Sequence, residues 1–499
     1  MKSTFYREKW SDLKTRLDEE KQVRHLSRQI AYSFMDAYLK DCHYQADYIE
    51  LLCEMSTYWE DQTLNGIAAQ ALFSIIIESL CDEFEDLQTE NYNRVMTQVI
   101  SFCRELSAGA ELDRCLNDFG VHSSKILFKR IQKIRTHAKK LSPQRHIKKI
   151  ILLSRVTIGA DVAITSIIIQ RLMRLFPDAE IVLIGSGKLQ DIYGGNALIG
   201  IRIVNYNRKG GLLERLASWH HAVAIIQNEL KPYAPEHTIL VDPDSRLSQL
   251  GVLPLISSEQ YYFFDSRSDV SLNSRMSMAE LTNSWLNQVS GIKDFCYPKV
   301  WLQKEHIQAA RDLCQRLKQN GALLIIAVNF GVGGNPRKTV GTEFEHRLLL
   351  TLLQEPQTII LLDRGSWDAE LNHTNLLMNA VKANGYAVYD AKFDACPDLN
   401  ITQGIVGLET RIGEIAAIIA QSDEYIGYDS AGQHIAAALE TPCLTIFAGS
   451  NNMRFLRRWS AFGQNSCQIV HVDTLNDPSA IDIDDIIIRI MNERSAQSK

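Results

Sequence analysis

The first 140 residues of this 499-residue chain contain no proline and only three glycines. All twelve prolines of the chain lie at or beyond Pro143. Proline and glycine disfavour helix interiors, so their scarcity, with apolar residues at three- and four-residue spacing, predicts packed amphipathic helices. We therefore predict an all-α domain over residues 1–140, whose function the sequence does not indicate.

Other features are missing from the whole chain. No apolar run approaches the roughly 18 residues of a membrane-spanning helix, and the first ten residues lack the apolar stretch of a signal peptide. The ten cysteines include no C-x-x-C pair, which argues against a zinc or disulfide framework. No G-x-S-x-G, H-E-x-x-H or Walker A motif occurs. We expect a cytoplasmic protein with reduced thiols and no bound metal.

The net charge of −6 conceals a strong asymmetry along the chain. Residues 1–124 carry 22 acidic and 12 basic side chains, whereas residues 125–149 carry ten basic and no acidic ones. The second segment predicts a basic amphipathic helix that contacts an anionic membrane or an acidic glycolipid, or else packs on the acidic helices with a solvated face. One basic helix in an acidic chain produces only a weak positive electrostatic potential, so we expect no nucleic-acid partner.

Beyond residue 147, short apolar runs alternate with helical patterns. Residues 148–154 and 179–185 predict buried parallel strands, with a helix over 160–177 between them. After a polar stretch around 265–300 the pattern restarts with a helix at 304–320. Further strands are predicted at 200–204, 222–226, 237–241, 322–330, 357–363, 386–390, 424–429, 443–449 and 467–473.

This repeated pattern predicts two Rossmann-like α/β lobes, over residues 147–296 and 303–499, joined by a linker near 295–303. Ligands bind open parallel sheets at the carboxyl ends of the strands. The cleft between the two lobes is therefore the expected active site.

The most informative segment, residues 423–454, reads DEYIGYDSAGQHIAAALETPCLTIFAGSNNMR. It predicts a strand ending at Asp429, a small turn, and a helix whose first N–H groups suit a diphosphate. Asp429 is placed to accept hydrogen bonds from sugar hydroxyls, and His434 lies on the first helical turn. The alternative is an ordinary strand–turn–helix with a solvated aspartate and a packed histidine.

The string IGYDSAGQHIAAALETPCLTIFAG within this segment resembles the donor-site motif of glycosyltransferase family 9, the ADP-heptose:lipopolysaccharide heptosyltransferases. Residues 151–185 are similar to the family's opening strand and helix. The resemblance covers about residues 147–499 and leaves the helical domain unexplained. It implies a GT-B-like pair of lobes, an inverting transfer without a metal ion, and an ADP-linked heptose donor.

On the acceptor side, the resemblance matches Asp161 to the family's base, which takes the proton from the acceptor hydroxyl. One extra residue, Ala160, precedes it, and a simple helix N-cap is the alternative role. Asp242 and Asp244 also fit a D-x-D metal motif, but the two-lobed glycosyltransferases typically work without a metal. The expected acceptor-binding residues are Arg155, Thr165, Asp242 and Arg246.

On the donor side, a glycine-rich loop at 328–344 follows the first strand of the second lobe. Its glycines let the backbone approach a ligand, and either Arg337 or Lys338 would neutralise the leaving diphosphate. The family has Lys-Arg-Trp where this chain has Arg-Lys-Thr, so the sequence does not decide which of the two cations neutralises the diphosphate. The expected donor-binding residues are Asp429, Ser430, Ala431, Gly432, Gln433, His434, Arg337, Lys338, Gly333, Gly334 and Glu409.

These patterns predict a glycosyltransferase that transfers a sugar from a nucleotide-diphosphate donor to a glycan or lipopolysaccharide-type acceptor. The nucleotide sugar is its co-substrate, no other cofactor is expected, and the protein is cytoplasmic or peripheral on the inner membrane face. Because Ala431, Gln433 and residues 448–452 depart from the family pattern, the alternative is a non-catalytic nucleotide-sugar-binding or scaffold protein. A hydrolase or epimerase on the same fold is a third candidate.

Overall fold

Three parts follow one another along the chain: a helical region and two α/β lobes. The fold class predicted from the sequence is confirmed. The computed structural model describes residues 3–15, 20–41, 43–80, 86–136, 139–142, 145–207, 209–249, 256–267, 275–393, 399–476 and 481–497.

The helical region buries aromatic side chains such as Trp10 and Phe34 in its interior. Asp61 caps one helix by accepting a hydrogen bond from the Thr63 N–H, which satisfies an otherwise free donor. The helices are α1 (Ser3–Leu13), α2 (Glu20–Asp41), α3 (Ala46–Met55), α4 (Gln62–Ala71), α5 (Asp86–Glu105), α6 (Ala110–Asp118) and α7 (Ser124–Thr136).

The first lobe is built on a parallel sheet with the strand order β3-β2-β1-β4-β5. The central strand β1 is buried along its whole length, as its run of isoleucine and leucine requires. The strands are β1 (Lys149–Leu153), β2 (Glu180–Gly185), β3 (Ile199–Ile203), β4 (Thr238–Asp242) and β5 (Tyr261–Phe263).

The second lobe is built on a parallel sheet with the order β12-β11-β10-β6-β7-β9-β8. Its strands are β6 (Leu324–Asn329), β7 (Thr358–Asp363), β8 (Ala387–Lys392), β9 (Gly404–Glu409), β10 (Glu424–Tyr428), β11 (Cys443–Phe447) and β12 (Cys467–His471).

Helices cover both sheets. In the first lobe they are α8 (Ile158–Ala160), a π-helical turn at Asp161–Thr165, α9 (Ser166–Leu175), α10 (Lys188–Tyr193), α11 (Leu212–Leu230), α12 (Arg246–Gln249) and α13 (Met278–Ser290). In the second they are α14 (Lys304–Gln319), α15 (Thr342–Leu352), α16 (Asp368–Ala383), α17 (Ile412–Ile419), α18 (Ala431–Ala438), α19 (Met453–Trp459) and α20 (Ile483–Gln497). No helix of the described ranges has both the length and the apolar character needed to cross a bilayer.

The strand order reverses between β1 and β4 in the first sheet and between β6 and β10 in the second. At such switch points the connections leave in opposite directions and open a crevice at the carboxyl ends of the strands. The loops that follow these four strands are therefore the places where the fold positions a ligand.

The helical region shares a hydrophobic core with the first lobe. Trp219 of α11 is fully buried in the cluster that joins helices α1–α7 to one face of the first sheet. The Tyr92 hydroxyl of α5 donates to Gln249 Oε1 at 3.0 Å, and Arg215 lies 4.4 Å from the Phe73 ring centroid. The helical region and the first lobe thus pack as one unit.

One predicted strand is wrong. Residues 222–226 lie inside α11 because Trp219, Ala222, Val223 and Ile226 are buried at helical spacing on one face. The sequence interpretation also missed β5 at 261–263 and β9 at 404–409. It took α13 as part of a polar stretch, although Ser277 and Glu280 form a capping box at its start.

Candidate active site

The loop after β1 carries the predicted base. β1 ends at Leu153, and Ser154 and Arg155 lead to a helical segment that begins at Ile158. Val156 in this loop has φ of 77°, a left-handed conformation that β-branched residues rarely adopt. Such strain persists only where the surrounding structure holds it, and it clusters at functional loops.

Asp161 lies within that helical segment and is only 1% exposed. Oδ1 accepts hydrogen bonds from the Arg155 backbone N–H (2.7 Å) and the Thr165 hydroxyl (2.8 Å), and Oδ2 accepts one from the Ser154 hydroxyl (2.7 Å). Burial raises the pKa of Asp161 to about 6, while these hydrogen bonds oppose the rise. The N-cap position belongs to Thr157, and Asp161 stands at the other end of this short helix, so Asp161 does not serve as a helix N-cap.

The Arg155 side chain crosses from β1 to the loop after the neighbouring strand β4. Its Nη1 donates to the Pro243 carbonyl at 3.0 Å and to Ser266 Oγ at 3.3 Å, and lies 3.4 Å from Asp244 Oδ2. Its Nε is buried without a hydrogen-bond partner among the described residues. The Arg155 side chain therefore has one N–H donor that no described residue uses.

Asp244, the second acid of the D-x-D segment, is neutralised by arginine. Its carboxylate accepts hydrogen bonds from Arg267 Nε (3.0 Å) and Nη2 (2.9 Å), and from Ser266 Oγ (2.6 Å). Burial opposes ionisation, but Arg267 and Arg155 hold the pKa of Asp244 well below its usual range. Within the described ranges, no three His, Cys, Asp or Glu side chains converge as metal ligands.

Asp242 and Arg246, which we expected on the acceptor side, have contacts within the protein. Asp242 Oδ1 accepts from the Ser245 N–H at 2.7 Å, and Oδ2 accepts from the Tyr261 hydroxyl. Burial raises the pKa of Asp242 to about 6. Arg246 lies 4.0 Å from Glu78 of the helical region. Asp242 thus closes the turn after β4, and acceptor binding by these two residues stays a prediction.

In the second lobe, the N-terminus of α18 follows directly after β10. Ser430 is its N-cap residue, and the Ser430 hydroxyl accepts a 3.4 Å hydrogen bond from the Gly432 N–H. A side chain at 432 would collide with the Tyr425 ring beneath the turn, so glycine is required there. Ala431 occupies the first helical position, where backbone N–H groups have no partner within a helix.

Asp429, at the carboxyl end of β10, is held by two side chains. Lys338 Nζ lies 2.5 Å from Oδ2, and Gln433 Nε2 donates to Oδ1 at 2.6 Å. Burial raises the pKa of Asp429, and the Lys338 charge opposes that rise. Gln433, which departs from the family pattern, therefore orients the predicted donor-binding carboxylate.

The structure distinguishes the two candidate cations of the glycine-rich loop. Lys338 points into the site, where its ammonium contacts Asp429 and lies 5.5 Å from the Phe455 ring centroid. The Arg337 side chain is exposed. Lys338 is therefore the cation positioned beside the N-terminus of α18, while Arg337 is not brought to Asp429.

The remaining predicted donor residues lie farther from Asp429. Gly333 and Gly334 form an exposed left-handed turn with φ of 61° and 82°, which explains the preference for glycine. Glu409 ends β9, three strands from β10 in the sheet, or about 14 Å at the usual spacing. Its Oε1 lies 4.0 Å from Arg364, and donor binding by Glu409 stays a prediction.

His434 is buried on α18, with its ring centroid 6.2 Å from that of Trp459. Burial lowers the pKa of His434 to about 4, and the Lys338 charge adds to this effect. The imidazole is therefore neutral at pH 7 and packs against the cleft rather than carrying charge there.

The two half-sites meet across the cleft. A Cβ atom on Gly159 would stand 3.0 Å from His434 Cδ2 and 3.3 Å from Ala431 Cα. A second bridge joins the lobes where Arg458 Nη1 donates to the Ser266 carbonyl at 3.0 Å. The segment of the first lobe that carries Asp161 and the N-terminus of α18 in the second lobe are thus in contact.

Sequence reasoning missed several residues of this site. Asp244 is the second acid of the D-x-D segment that the sequence analysis identified, but only Asp242 was predicted to bind the acceptor. The others lie outside any motif and become apparent only through the fold. The missed residues are Ser154, Asp244, Ser266, Arg267, Phe455, Arg458 and Trp459.

Known proteins resemble parts of this chain. Residues 396–477 match the model of glycosyltransferase family 9 (heptosyltransferase). The chain is similar in structure to the glycosyl transferase family 9 from Veillonella parvula DSM 2008, with a TM-score of 0.50 and 14% identity over 71% of this chain and 98% of that one. It is also similar to E. coli heptosyltransferase WaaC with ADP (TM-score 0.47, 13% identity, 69% of this chain and 99% of that one). None of the curated proteins matches the chain.

The matched segment contains the strands from β9 to β12 and the whole turn from Asp429 to His434. The structural likeness is a likeness of fold, and it covers 71% of this chain. The chain thus resembles glycosyltransferase family 9 in this segment of its second lobe.

Proposed function

We propose that the protein transfers a sugar, heptose by its family resemblance, from an ADP-linked donor to a hydroxyl of a glycan or lipopolysaccharide-type acceptor. The observation that carries the proposal is the contact between the Asp161 segment and the N-terminus of α18 across the cleft. It joins a buried carboxyl that can accept a proton to a group of N–H donors that can hold a diphosphate.

In the proposed reaction, Asp161 takes the proton of the acceptor hydroxyl as that oxygen attacks the anomeric carbon. The bond from this carbon to the diphosphate oxygen breaks, and the nucleoside diphosphate leaves with the bonding electrons. A single displacement of this kind inverts the anomeric configuration. Asp161 Oδ2 accepts one hydrogen bond, from Ser154, within the described ranges, which leaves a lone pair for the acceptor hydroxyl.

Charge on the leaving diphosphate is stabilised, in this proposal, by the first N–H groups of α18 and by Lys338. Preorganised donors of this kind act where charge develops, and they cost little reorganisation in a water-poor cleft. When the diphosphate binds, it competes with Asp429 for the Lys338 ammonium. Asp429 is then released to accept hydrogen bonds from the sugar. The proposal needs no metal ion for this step.

The acceptor is proposed to bind the first lobe, where Arg155 Nε has no hydrogen-bond partner among the described residues. Because Asp161 is 1% exposed with the lobes in contact, the acceptor must enter before the lobes close. We extend the proposal to a cytoplasmic location with a peripheral contact between residues 125–149 and an anionic membrane.

A panel of ADP-, UDP-, GDP- and CMP-sugars tests the donor assignment by thermal shift and by slow donor hydrolysis. We expect ADP-sugars to raise the melting temperature most, and the product anomer, assigned by NMR, to be inverted. Activity that survives EDTA treatment would support a metal-independent transfer, and activity lost to EDTA and restored by Mg²⁺ would contradict it.

The variant Asp161→Asn separates binding from chemistry. We expect it to bind the donor as the wild type does and to lose transfer. Donor binding without turnover in the wild type, even with acceptor extracts, would instead indicate a nucleotide-sugar-binding protein. Failure to bind any of the four sugar nucleotides would contradict the donor site itself.

A further inference from the structure

A large groove lies between the helical region and the first lobe, outside the active site. It encloses about 1400 Å³. One wall is formed by α7 with Lys139, Lys140 and Arg145, and the other by β5 and α13. Nothing in the proposed transfer reaction uses this groove.

The groove is strongly cationic in an otherwise acidic protein. Among the residues that the structure describes, seven lysine and arginine side chains line it, against three glutamate and aspartate side chains. Glu90 pairs with Arg94 outside the groove lining, and Asp265 pairs with Arg135, which is one of the seven cations. The seven cations are Lys129, Arg130, Lys133, Arg135, Lys139, Lys140 and Arg145.

Lys139 gives an independent indication that an anion belongs here. Its ammonium nitrogen is buried and has no hydrogen-bond partner among the described residues. Burial lowers the pKa of Lys139, and the nearby charges of Lys133, Arg145 and Arg130 lower it further, while Glu259 acts in the opposite direction. A buried ammonium among other cations is stabilised when an anion supplies the missing acceptor.

The opposite wall is apolar and aromatic. Trp285 and Phe264 pack against each other with ring centroids 5.3 Å apart, and Leu281 and Val289 extend that surface along α13. On the α7 side, Ile126 is 41% exposed toward the groove. A small inorganic anion makes no use of these side chains, whereas a molecule with an acyl chain does.

The groove also leads toward the cleft. Arg135 pairs with Asp265, which precedes Ser266, the residue that contacts both Arg155 and Arg458. A headgroup bound among the cations thus lies next to Ser266, whose carbonyl accepts the hydrogen bond from Arg458 of the second lobe.

We propose that this groove binds one phosphate-bearing lipid, with the phosphate among the lysines and arginines and the acyl chains along α13. The inference goes beyond sugar transfer and does not depend on it, because lipid binding is measured without donor or acceptor. It assigns a role to the interface that the added helical region makes with the first lobe.

The probe is dihexanoyl phosphatidic acid, kept below its micelle concentration and titrated into the full-length protein by calorimetry. We expect binding of about one molecule per chain. Dihexanoyl phosphatidylcholine, with the same chains and no net charge, should bind at least tenfold more weakly, and glycerol phosphate, with the charge and no chains, should do so as well.

Three variants locate the site. The double variant Lys133→Gln/Lys139→Gln should weaken phosphatidic acid binding about tenfold or more, since two charged contacts are lost. Ile126→Gln tests the apolar contact at an exposed position and should weaken it several-fold. Lys125→Gln is the matched control, because Lys125 lies on the same helix with the same charge but outside the groove lining. All three should keep the wild-type melting temperature.

Several results would overturn the proposal. Equal losses in Lys125→Gln and in the double variant would indicate general charge attraction to the helix. Glycerol phosphate binding as tightly as the lipid would indicate a free-phosphate site. Unsaturable binding of many lipids per chain, or no binding of phosphatidic acid, would also exclude a lipid site in the groove.

Discussion

Gly159 of the first lobe lies against the His434 imidazole of the second, so closely that a Cβ atom on Gly159 would stand 3.0 Å from His434 Cδ2. His434 is buried and neutral at pH 7, so this contact is one of packing rather than charge. Two residues later the chain reaches Asp161, and the same helix of the second lobe offers its N-terminus. Gly159 thus sets how closely the proposed base approaches the donor side.

Gly159→Ala should therefore impair transfer without unfolding either lobe. The added methyl must displace the His434 ring or hold the lobes apart, and small displacements of reacting groups have large effects on rate. We expect kcat to fall about tenfold. Gly187→Ala is the control, because its nearest neighbour would be 3.9 Å away, and it should retain activity within about twofold. Equal kcat values for the two variants would show that the contact does not matter for catalysis.

Asp161 should impose an acidic limb on the pH profile. Its pKa of about 6 means that the carboxyl is ionised at pH 7 and becomes protonated as the pH falls through 6. The rate should then drop about tenfold per pH unit below that value. Asp161→Asn should lower kcat by about a hundredfold or more at pH 7.

The control for this experiment is the melting temperature of Asp161→Asn, which should stay close to that of the wild type at pH 7. A wild-type rate that is flat from pH 7 to 4.5 would be incompatible with Asp161 as the base. So would an Asp161→Asn enzyme of nearly normal kcat.

Lys338 and Arg337 are adjacent cations, and we expect their substitutions to have very different effects on catalysis. Lys338→Met removes the charge beside Asp429 and the proposed diphosphate site, and should lower kcat/KM by about a hundredfold. Arg337→Met removes an exposed side chain and should change kcat/KM by less than about threefold. Steady-state kinetics with varied donor concentration measure both, and a larger loss in Arg337→Met would reverse the assignment.

Asp244→Asn should destabilise the protein by about 3–5 kcal/mol at pH 7, because it leaves buried guanidinium groups without their counter-charge. Asp244 has a lowered pKa in the folded state, so its stabilising effect is fully present above the unfolded pKa of about 4 and declines progressively as the pH falls from there through the lower folded pKa. The difference between wild type and variant should therefore shrink on acidification.

Urea unfolding at pH 7 and pH 3.5 measures that difference. Asp485→Asn is the matched control, since Asp485 pairs with Arg489 on the exposed surface of α20 and should cost less than about 1 kcal/mol. A difference between Asp244→Asn and wild type that stays constant or grows on acidification would refute the expected direction of the pH dependence.

The sequence predicted the parts of the fold that depend on local pattern. The apolar runs that became β1 and β6 are uniform enough to identify buried parallel strands, and the Asp429–His434 turn carried a recognisable motif. The prediction of a strand at 222–226 was wrong. The β-branched residues of this segment suit a strand in isolation, but its apolar side chains are buried at helical spacing, which favours α11. Local propensity cannot show which face of a segment will be covered.

The residues of the candidate site also divide into those that the sequence predicted and those that only the fold reveals. Asp161 and Asp429 were identified from neighbouring residues in the chain, but the choice of Lys338 over Arg337 depends on which way each side chain points. The link between Arg155 and Asp244 joins residues about ninety positions apart through neighbouring strands. No spacing rule connects such residues before the sheet order is known.

The shared core of the helical region and the first lobe has a consequence for synthesis. Helices α1–α7 are translated first, and the Trp219 face of α11 that covers them emerges about 80 residues later. At about 5–20 residues per second, the apolar side of the helical region waits for roughly 4–16 s at the ribosome without its partner. Chaperone capture of nascent chains should therefore be strongest in this window, before the second lobe exists.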